Sequence, residues 1–465
     1  MAAAARTIDI GEFINGRKLS RFNVILVVVS WLITVFDGFD QMTVSYTMPY
    51  MRDVLHLSSG MQGNVFAIGN FGMMAGGFFF AFLGDRVGRR PTVIAAACTF
   101  AVLTFITGFV QSYAQLLTLR FCDGFAIGGM LPLAWALNIE FVPQRMRATV
   151  VSLVMLGYSI GTAIAAPITN VLAPKYGWSA VYFAGGGGTL VCAALLFLFL
   201  PESIRFLGAK GQRPDLIART LNRMQPELGA RAEDTFVVAD EALQRTNFNP
   251  TQLFSGWLKW LTILLWVGYT LSSLAIYFDA NWGPTVIEKI GFPRKEAGNL
   301  IGLSTILGAG LGLCLMRFTD RFGPFTVALY PLLAIPVLLY IGLGHPSAEI
   351  LPLLLVVGPT LISGGHFGIL SICGIFYPSV IRANGAGWAT SIAKVGAIVG
   401  PAVAGYLLEA GVVPIHLFAL VALCPMILAA CAIGIGFVVR GERRSPSLVP
   451  DAAMITAVRT VFRSP

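Results

Sequence analysis

The chain has 465 residues, of which 56% are hydrophobic and 12% charged, and its mean hydropathy is +0.76. Soluble globular chains carry about 25% charged residues, so these figures exclude a soluble enzyme, a nucleic-acid-binding domain and a disordered chain. The 32 Lys and Arg against 23 Asp and Glu leave a formal charge of +9, which in a membrane protein reflects basic loops on one side of the bilayer.

An apolar run of about 18 residues is enough to propose a membrane span. Twelve such segments are predicted, at about 22–47, 60–83, 91–110, 114–139, 148–172, 179–199, 256–282, 296–316, 325–344, 348–373, 384–408 and 414–438. The fold class is therefore an all-α membrane protein. Residues 1–21 read as a cytoplasmic segment, whose Ala-rich start followed by the polar stretch Asp9–Arg21 has the wrong order for a cleavable signal peptide. Residues 22–200 and 256–439 form two six-helix bundles. The connector 201–255 holds seven basic and seven acidic side chains between Pro201 and Phe254, with a short helix expected around Asp215–Arg223. Residues 440–465 form a tail.

Assigning loops alternately to the two sides puts about 24 Lys and Arg on the side of the N-terminus and about 5 on the other. Both termini and the central connector are thus expected in the cytoplasm, in an inner (plasma) membrane protein with the lipid bilayer as partner. The seven cysteines lie in apolar stretches with no CxxC pair and read as core residues. No metal cluster, nucleophile constellation or phosphate-binding loop is legible, so neither enzyme activity nor a metal or other cofactor is expected.

The halves repeat. Asp85-Arg86-Val87-Gly88 recurs 235 residues later as Asp320-Arg321-Phe322-Gly323, and Phe141, Pro143, Arg147-Ala148 and Gly161 recur at the same offset as Phe376, Pro378, Arg382-Ala383 and Gly396. A parallel six-span repeat points to an alternating-access transporter with its site between the halves.

With so few charges, those inside spans form the shortlist for mechanism. Asp37 and Asp40, in Phe36-Asp37-Gly38-Phe39-Asp40, share one helix face at i, i+3. Asp37 lies about 22 Å along a helix starting near residue 22, within the hydrocarbon. A carboxylate there is costly unless protonated, paired or hydrated, so both are candidate proton-coupling groups; a hydrated vestibule is the plainer reading. Arg120 lies in the outer half of span four with Asp123 one turn on. It is either a substrate anchor or the ion-pair partner of Asp37 or Asp40, and Asp123 is placed to neutralise it. Glu140, about 30 Å further along, belongs with the basic loop that contains Asp85, Arg86, Arg89 and Arg90, where a carboxylate beside a basic cluster can pin a helix seam as a cytoplasmic gate. In the second half Asp320, Arg321 and Arg382 take the corresponding gate positions. Lys394, about 15 Å into span eleven and near the bilayer midplane, is a candidate partner for a substrate carboxylate or for a first-half Asp. Trp388, Tyr277, Phe278 and Trp282 are aromatic groups in or beside spans that could stack on a ring if the substrate has one, although Trp and Tyr at span ends are commonly interface anchors. His366 in span ten is a titratable candidate, and Asp279 near the outer end of span seven a candidate for the outer gate.

Gly84-Asp85-Arg86-Val87-Gly88-Arg89-Arg90, Pro201-Glu202-Ser203-Ile204-Arg205 and the repeat closely resemble the signatures of the major facilitator superfamily over nearly the whole chain. The second-half copy is degraded, with Pro324 and Phe325 in place of arginines. Asp37-Gly38-Phe39-Asp40 resembles the Asp-Gly-x-Asp pattern of the aromatic acid:proton symporters within it. Arg120 and Glu140, and Tyr377-Pro378…Arg382…Lys394-Val395-Gly396, match further charged positions of that family; Asp123, and Lys394 in place of Arg, depart from it. The resemblance implies import of a small aromatic carboxylate, a hydroxy- or methoxybenzoate, by proton symport, with protons as co-substrate, no nucleic acid and a monomeric carrier. An organic-acid or drug exporter is the alternative, disfavoured because Gly157-Tyr158-Ser159-Ile160-Gly161 followed by Ala166-Pro167 lacks the dense Gly-Pro run of antiporters. A sugar carrier would share the loop motifs but not Asp37-x-x-Asp40.

Overall fold

The computed structural model describes residues 6–238, 250–377 and 381–444. After a strand β1 (Thr7–Asp9) and a short helix α1 (Ile10–Gly16), the chain runs through α2 (Arg21–Leu55), α3 (Ser59–Val87), α4 (Arg89–Thr107), α5 (Tyr113–Glu140), α6 (Arg147–Tyr176) and α7 (Ser179–Phe199). The connector folds into α8 (Ile204–Lys210), α9 (Pro214–Met224) and a strand β2 (Thr235–Val237). Then follow α10 (Leu258–Ile290), α11 (Arg294–Phe322), α12 (Leu329–Leu343), α13 (Leu351–Phe376), α14 (Arg382–Glu409), α15 (His416–Val421) and α16 (Leu423–Arg444). Twelve of the resulting spans are long and apolar enough to cross a membrane, and the protein is a multi-pass membrane protein.

The spans agree with the apolar runs in number and place, and differ at their ends for identifiable reasons. The helix expected to stop at 47 continues to Leu55 through Pro49, and the one expected to stop at 282 continues to Ile290 through Pro284. Proline removes one donor but does not force an end where the freed carbonyl finds other partners. Span nine opens with a tight 3-10 turn, Pro324–Ala328. The last span is interrupted at Ala422, because Pro425 has no N–H to give the carbonyl of Val421 four residues back.

Residue contacts group the chain into two units. One comprises Met1–Gln41, Phe71–Ile164 and Lys175–Arg245, the other Met42–Asn70, Ala165–Pro174 and Thr246–Pro465. In the first, the N-terminal segment is ordered, although its polarity alone gives no such expectation. Asp9 caps α1 by accepting the N–H of Gly11 at 2.8 Å, and Ile10 and Ile14, one turn apart, are buried against Ile204, Leu207, Ile217 and Leu221 of the connector. β1 pairs in parallel with β2, Thr7 opposite Thr235. Asp234 accepts from the N–H of Arg231 at 2.8 Å and of Arg6 at 3.1 Å. These bonds to the charged form hold its carboxyl below the ordinary carboxylate range. Its contribution to this strap is therefore present above the unfolded pKa and lost as pH falls through the lowered folded value.

Glycines set the closest helix approaches. A methyl group on Gly161 of α6 would overlap the backbone carbonyl of Val35 on α2, and one on Gly396 of α14 would overlap that of Thr270 on α10. Both members of the second contact lie 235 residues beyond the first, so the offset that relates the loop motifs also relates helix–helix contacts. The two loop glycines obey it too, with φ of +122° at Gly88 and +86° at Gly323. Gly161→Leu or Gly396→Leu would force the backbones apart, and overpacking costs about 1–3 kcal/mol or more. The expected result is a clear drop in detergent thermal stability for either variant. Gly187→Ala, whose added methyl meets nothing within 4 Å, should melt like the parent protein.

Candidate functional site

In the first unit a buried ionic cluster joins three helices, toward the end of α4 and the beginning of α5. The Arg120 guanidinium donates through Nη1 to Oδ2 of Asp40 at 3.1 Å and to Oδ2 of Asp123 at 2.8 Å. The Thr104 hydroxyl of α4 lies 3.4 Å from Oδ1 of Asp40 and 3.2 Å from Oδ1 of Asp123. Asp40 is 1% exposed, Asp123 0% and Arg120 4%. Asp123 and Arg120 meet because they are one turn apart on α5, and α2 brings Asp40 to them. Gly38, between the two acids of α2, would overlap the carbonyl of Tyr158 if it carried a methyl, so it is the small residue that lets α6 close on this stretch. Asp37, also 1% exposed, occupies the same face as Asp40. The cluster contains two carboxylates and one guanidinium, an imbalance of one negative charge that a single bound proton neutralises. Arg120, weighed from the sequence as anchor or ion-pair partner, is engaged in ion pairs.

At the end of this unit where α2 begins, the loop motif is divided. Arg89 pairs with Glu140, which also accepts the Ser203 hydroxyl. Glu202 Oε1 accepts from the N–H of Arg89 at 3.1 Å, of Arg90 at 3.2 Å and of Ser203 at 2.9 Å, so it serves as the anionic cap of α4. Arg90 in turn donates to the carbonyls of Leu200 and Phe197 at 2.7 and 2.8 Å, satisfying the last turn of α7. Asp85 and Arg86 are exposed, the latter stacked 4.2 Å above the Phe82 ring. The resemblance of 201–205 to a family element marked the region, but not that Glu202 caps another helix.

In the second unit, His366 of α13 is bonded through Nδ1 to the Ser272 hydroxyl of α10 at 3.1 Å and lies 5.2 Å from the Tyr269 ring. Lys394 of α14 is near enough to this imidazole for its charge to act on it. Trp388, 42% exposed, stacks on Trp266 at 6.3 Å. The helix rise places Ser272 about 21 Å along α10 and Lys394 about 18 Å along α14 from the ends on the same side. Tyr277 is half-buried two turns beyond Tyr269. Trp282 is fully buried, donates its indole N–H to Pro401 at 2.8 Å and meets Phe66 edge-on, which makes it packing. Arg321 is exposed. The side chains of Asp320 and Arg382, and residue Pro378, lie outside the described residues.

A third group was not anticipated. Glu288 Oε1 accepts from Arg52 at 3.2 Å and Arg294 at 2.9 Å, while Asp53 pairs with Arg52 at 3.0 Å and with Arg294. Two acids and two arginines thus close a ring at the carboxyl ends of α2 and α10. Asp53 and Glu288 are again 235 residues apart, a signal present in the sequence.

A helical multi-pass chain with an internal repeat and buried ion pairs has the architecture of a secondary membrane transporter. Residues 30–378 match the sequence profile of the Major Facilitator Superfamily, and the chain belongs to that family. Within it, aromatic-acid transporters are among the relatives. The chain is 30% identical to the gallate transporter of Pseudomonas putida, over 92% of this chain and 94% of that one. It is 28% identical to the 4-hydroxybenzoate transporter PcaK of the same organism, over 86% and 89%. With the benzoate transport protein of Acinetobacter baylyi it shares 27% identity over 87% and 88%. Among solved structures, the proton:xylose symporter XylE superposes with a TM-score of 0.68 at 16% identity, covering 91% of this chain and 96% of that one. The nucleoside transporter NupG gives 0.66 at 14%, over 90% and 99%. At such identities the likeness is one of fold.

Proposed function

We propose that this chain imports a small aromatic carboxylate, of the hydroxy- or methoxybenzoate kind, together with a proton by alternating access of its two six-span bundles. The observation that carries the reading is the Asp40–Arg120–Asp123 cluster, which holds two buried acids on one buried base. Such a cluster binds and releases a proton without moving a full charge into lipid. Asp37 and Asp40 are the coupling acids, with Arg120 as their counter-ion. Lys394 is the anchor for the substrate carboxylate, and His366, Trp388 and Tyr277 line the ring's position beside it. The relatives named above, carriers of gallate, 4-hydroxybenzoate and benzoate, supply the substrate class. Proton and substrate binding at separate groups of one carrier give coupling when each favours the same conformation. Arg89, Arg90 and Glu140, with Asp85, Arg86, Asp320, Arg321 and Arg382, form the gate on the basic side, which the charge asymmetry makes the cytoplasmic side of the inner membrane. The carrier acts as a monomer.

The test is uptake of labelled benzoate, 4-hydroxybenzoate and gallate into proteoliposomes with an acidic exterior. At least one should accumulate above its outside concentration and drain when a protonophore is added. Failure of all three to enter removes the substrate class, and accumulation indifferent to the protonophore removes proton coupling.

A further inference from the structure

Asp279 lies on α10 two turns beyond Ser272, toward the ring of Arg52, Asp53, Glu288 and Arg294. It is 6% exposed, and its Oδ1 is fully buried with no hydrogen-bond partner. No ion pair reaches it from the described residues. Tyr46 of α2 is near enough for the charge of Asp279 to act on it, and its hydroxyl is also buried without a partner. Glycines stand beside both groups, with Ile301 against Gly283 and Asn170 against Gly298. A methyl on Gly283 would stand 3.8 Å from Oδ1 of Asp279, and methyls on Gly298 and Gly302 of α11 would stand 3.6 and 3.9 Å from the Tyr46 side chain. The charged groups further along these helices are engaged elsewhere: Glu288 and Arg294 in the ring, and Lys289 with the Ser59 hydroxyl at 3.0 Å. Among the described residues, then, this buried chamber holds one carboxyl, one phenol and no cation.

Packing does not require an acid here. At the repeat offset of 235 the position corresponds to Val44, which is 2% exposed, so the same register of the first half is filled by an apolar side chain. A carboxyl held from water without a cation is stable only with its proton on.

We propose that Asp279 is a second proton-binding carboxyl of the transport cycle, protonated while the chamber is shut and in exchange with the outer solution when the carboxyl ends of α2 and α10 part. The proposal rests on the proton-coupled reading above and adds a proton to it. One O–H bond forms at the carboxylate from an outside hydronium ion, which leaves as water. Tyr46 keeps its own proton and donates a hydrogen bond to the ionised form.

The experiment uses the full chain in proteoliposomes, with the membrane potential clamped at zero and a pH gradient of one unit. The probe is whichever of the three labelled acids the wild type accumulates. Each proton moved with substrate multiplies the steady-state ratio about tenfold per pH unit. Asp279→Asn is expected to lower that ratio about tenfold while label still exchanges across the membrane, and Asp279→Glu to restore it. A wild-type ratio in Asp279→Asn overturns the proposal and leaves proton symport standing. Loss of exchange together with accumulation also overturns it, by assigning Asp279 to the scaffold. Should Asp279→Asn fail to assemble, Asp279→Val copies the residue already accepted at position 44 and is read in the same way. If the wild type itself shows no gradient-driven accumulation, the symport reading fails and this inference falls with it.

Discussion

Asp40→Asn should lower accumulation of substrate against its gradient about tenfold per unit of pH gradient at zero membrane potential, the share that one proton supplies. Removing the Asp40 charge leaves Arg120 with Asp123 alone, at 2.8 Å, a neutral pair that has no need of a proton. The cluster's proton then no longer travels with the substrate, and its share of the free energy that drives uptake is lost. The protein should still fold, because the isosteric amide leaves a buried base with one acid rather than orphaned, whereas removing the only partner of a buried charge costs about 3–5 kcal/mol. Arg120→Ala supplies that contrast. It strands two carboxylates, and its loss should appear first as poor yield of folded protein. Asp37→Asn is expected to lower accumulation as well. Wild-type accumulation in both Asp variants would place coupling elsewhere.

Lys394→Ala is the second large effect expected. A carboxylate substrate near the midplane needs a cation, and among the described side chains of the second unit Lys394 is the basic group beside the Ser272–His366 pair. Truncating one member of a buried charge pair costs about 2 kcal/mol or more, so affinity for a benzoate should fall about 30-fold or more in a direct binding assay. Lys394→Arg should recover part of it, since the charge returns with a fork geometry in place of a point. Affinity unchanged across a panel of ring-substituted benzoates would exclude Lys394 as the anchor. A loss confined to charged ligands, with a neutral benzamide unaffected in both proteins, would identify the carboxylate as the group it holds.

The spans were legible because burial in lipid is encoded locally, as a run of apolar residues, and their number came out right. Their ends were less so. Whether a helix passes Pro49 or breaks before Pro425 depends on what meets the freed carbonyl, and that partner is not in the local sequence. The same distinction runs through the site. The i, i+3 spacing places Asp37 and Asp40 on one face of α2, and that of Arg120 and Asp123 places those two on one face of α5. Nothing in either spacing says that the two faces meet, or that Thr104 of α4 lies between the carboxylates. Glu202 and the N-terminal helix were missed for the same reason, since the work of Glu202 is done on the first turn of α4, far away in sequence. The Asp53 and Glu288 pair is related by the repeat offset and so was legible in principle, but a single charge repeated at that offset has no flanking motif to mark it.

The strand pair at the ends of the first half bears on the order of assembly. Thr7 and Thr235 are joined across 228 residues of chain, and closing a flexible loop of that length costs about 5 kcal/mol in chain entropy. Two strands of three residues cannot supply that by themselves. They can meet only after the six intervening helices have been inserted and packed closely enough to bring α1, α8 and α9 together. The second strand precedes α10 in the chain, so the fastening of these two short strands depends on the placement of the first six spans and on none of the last six.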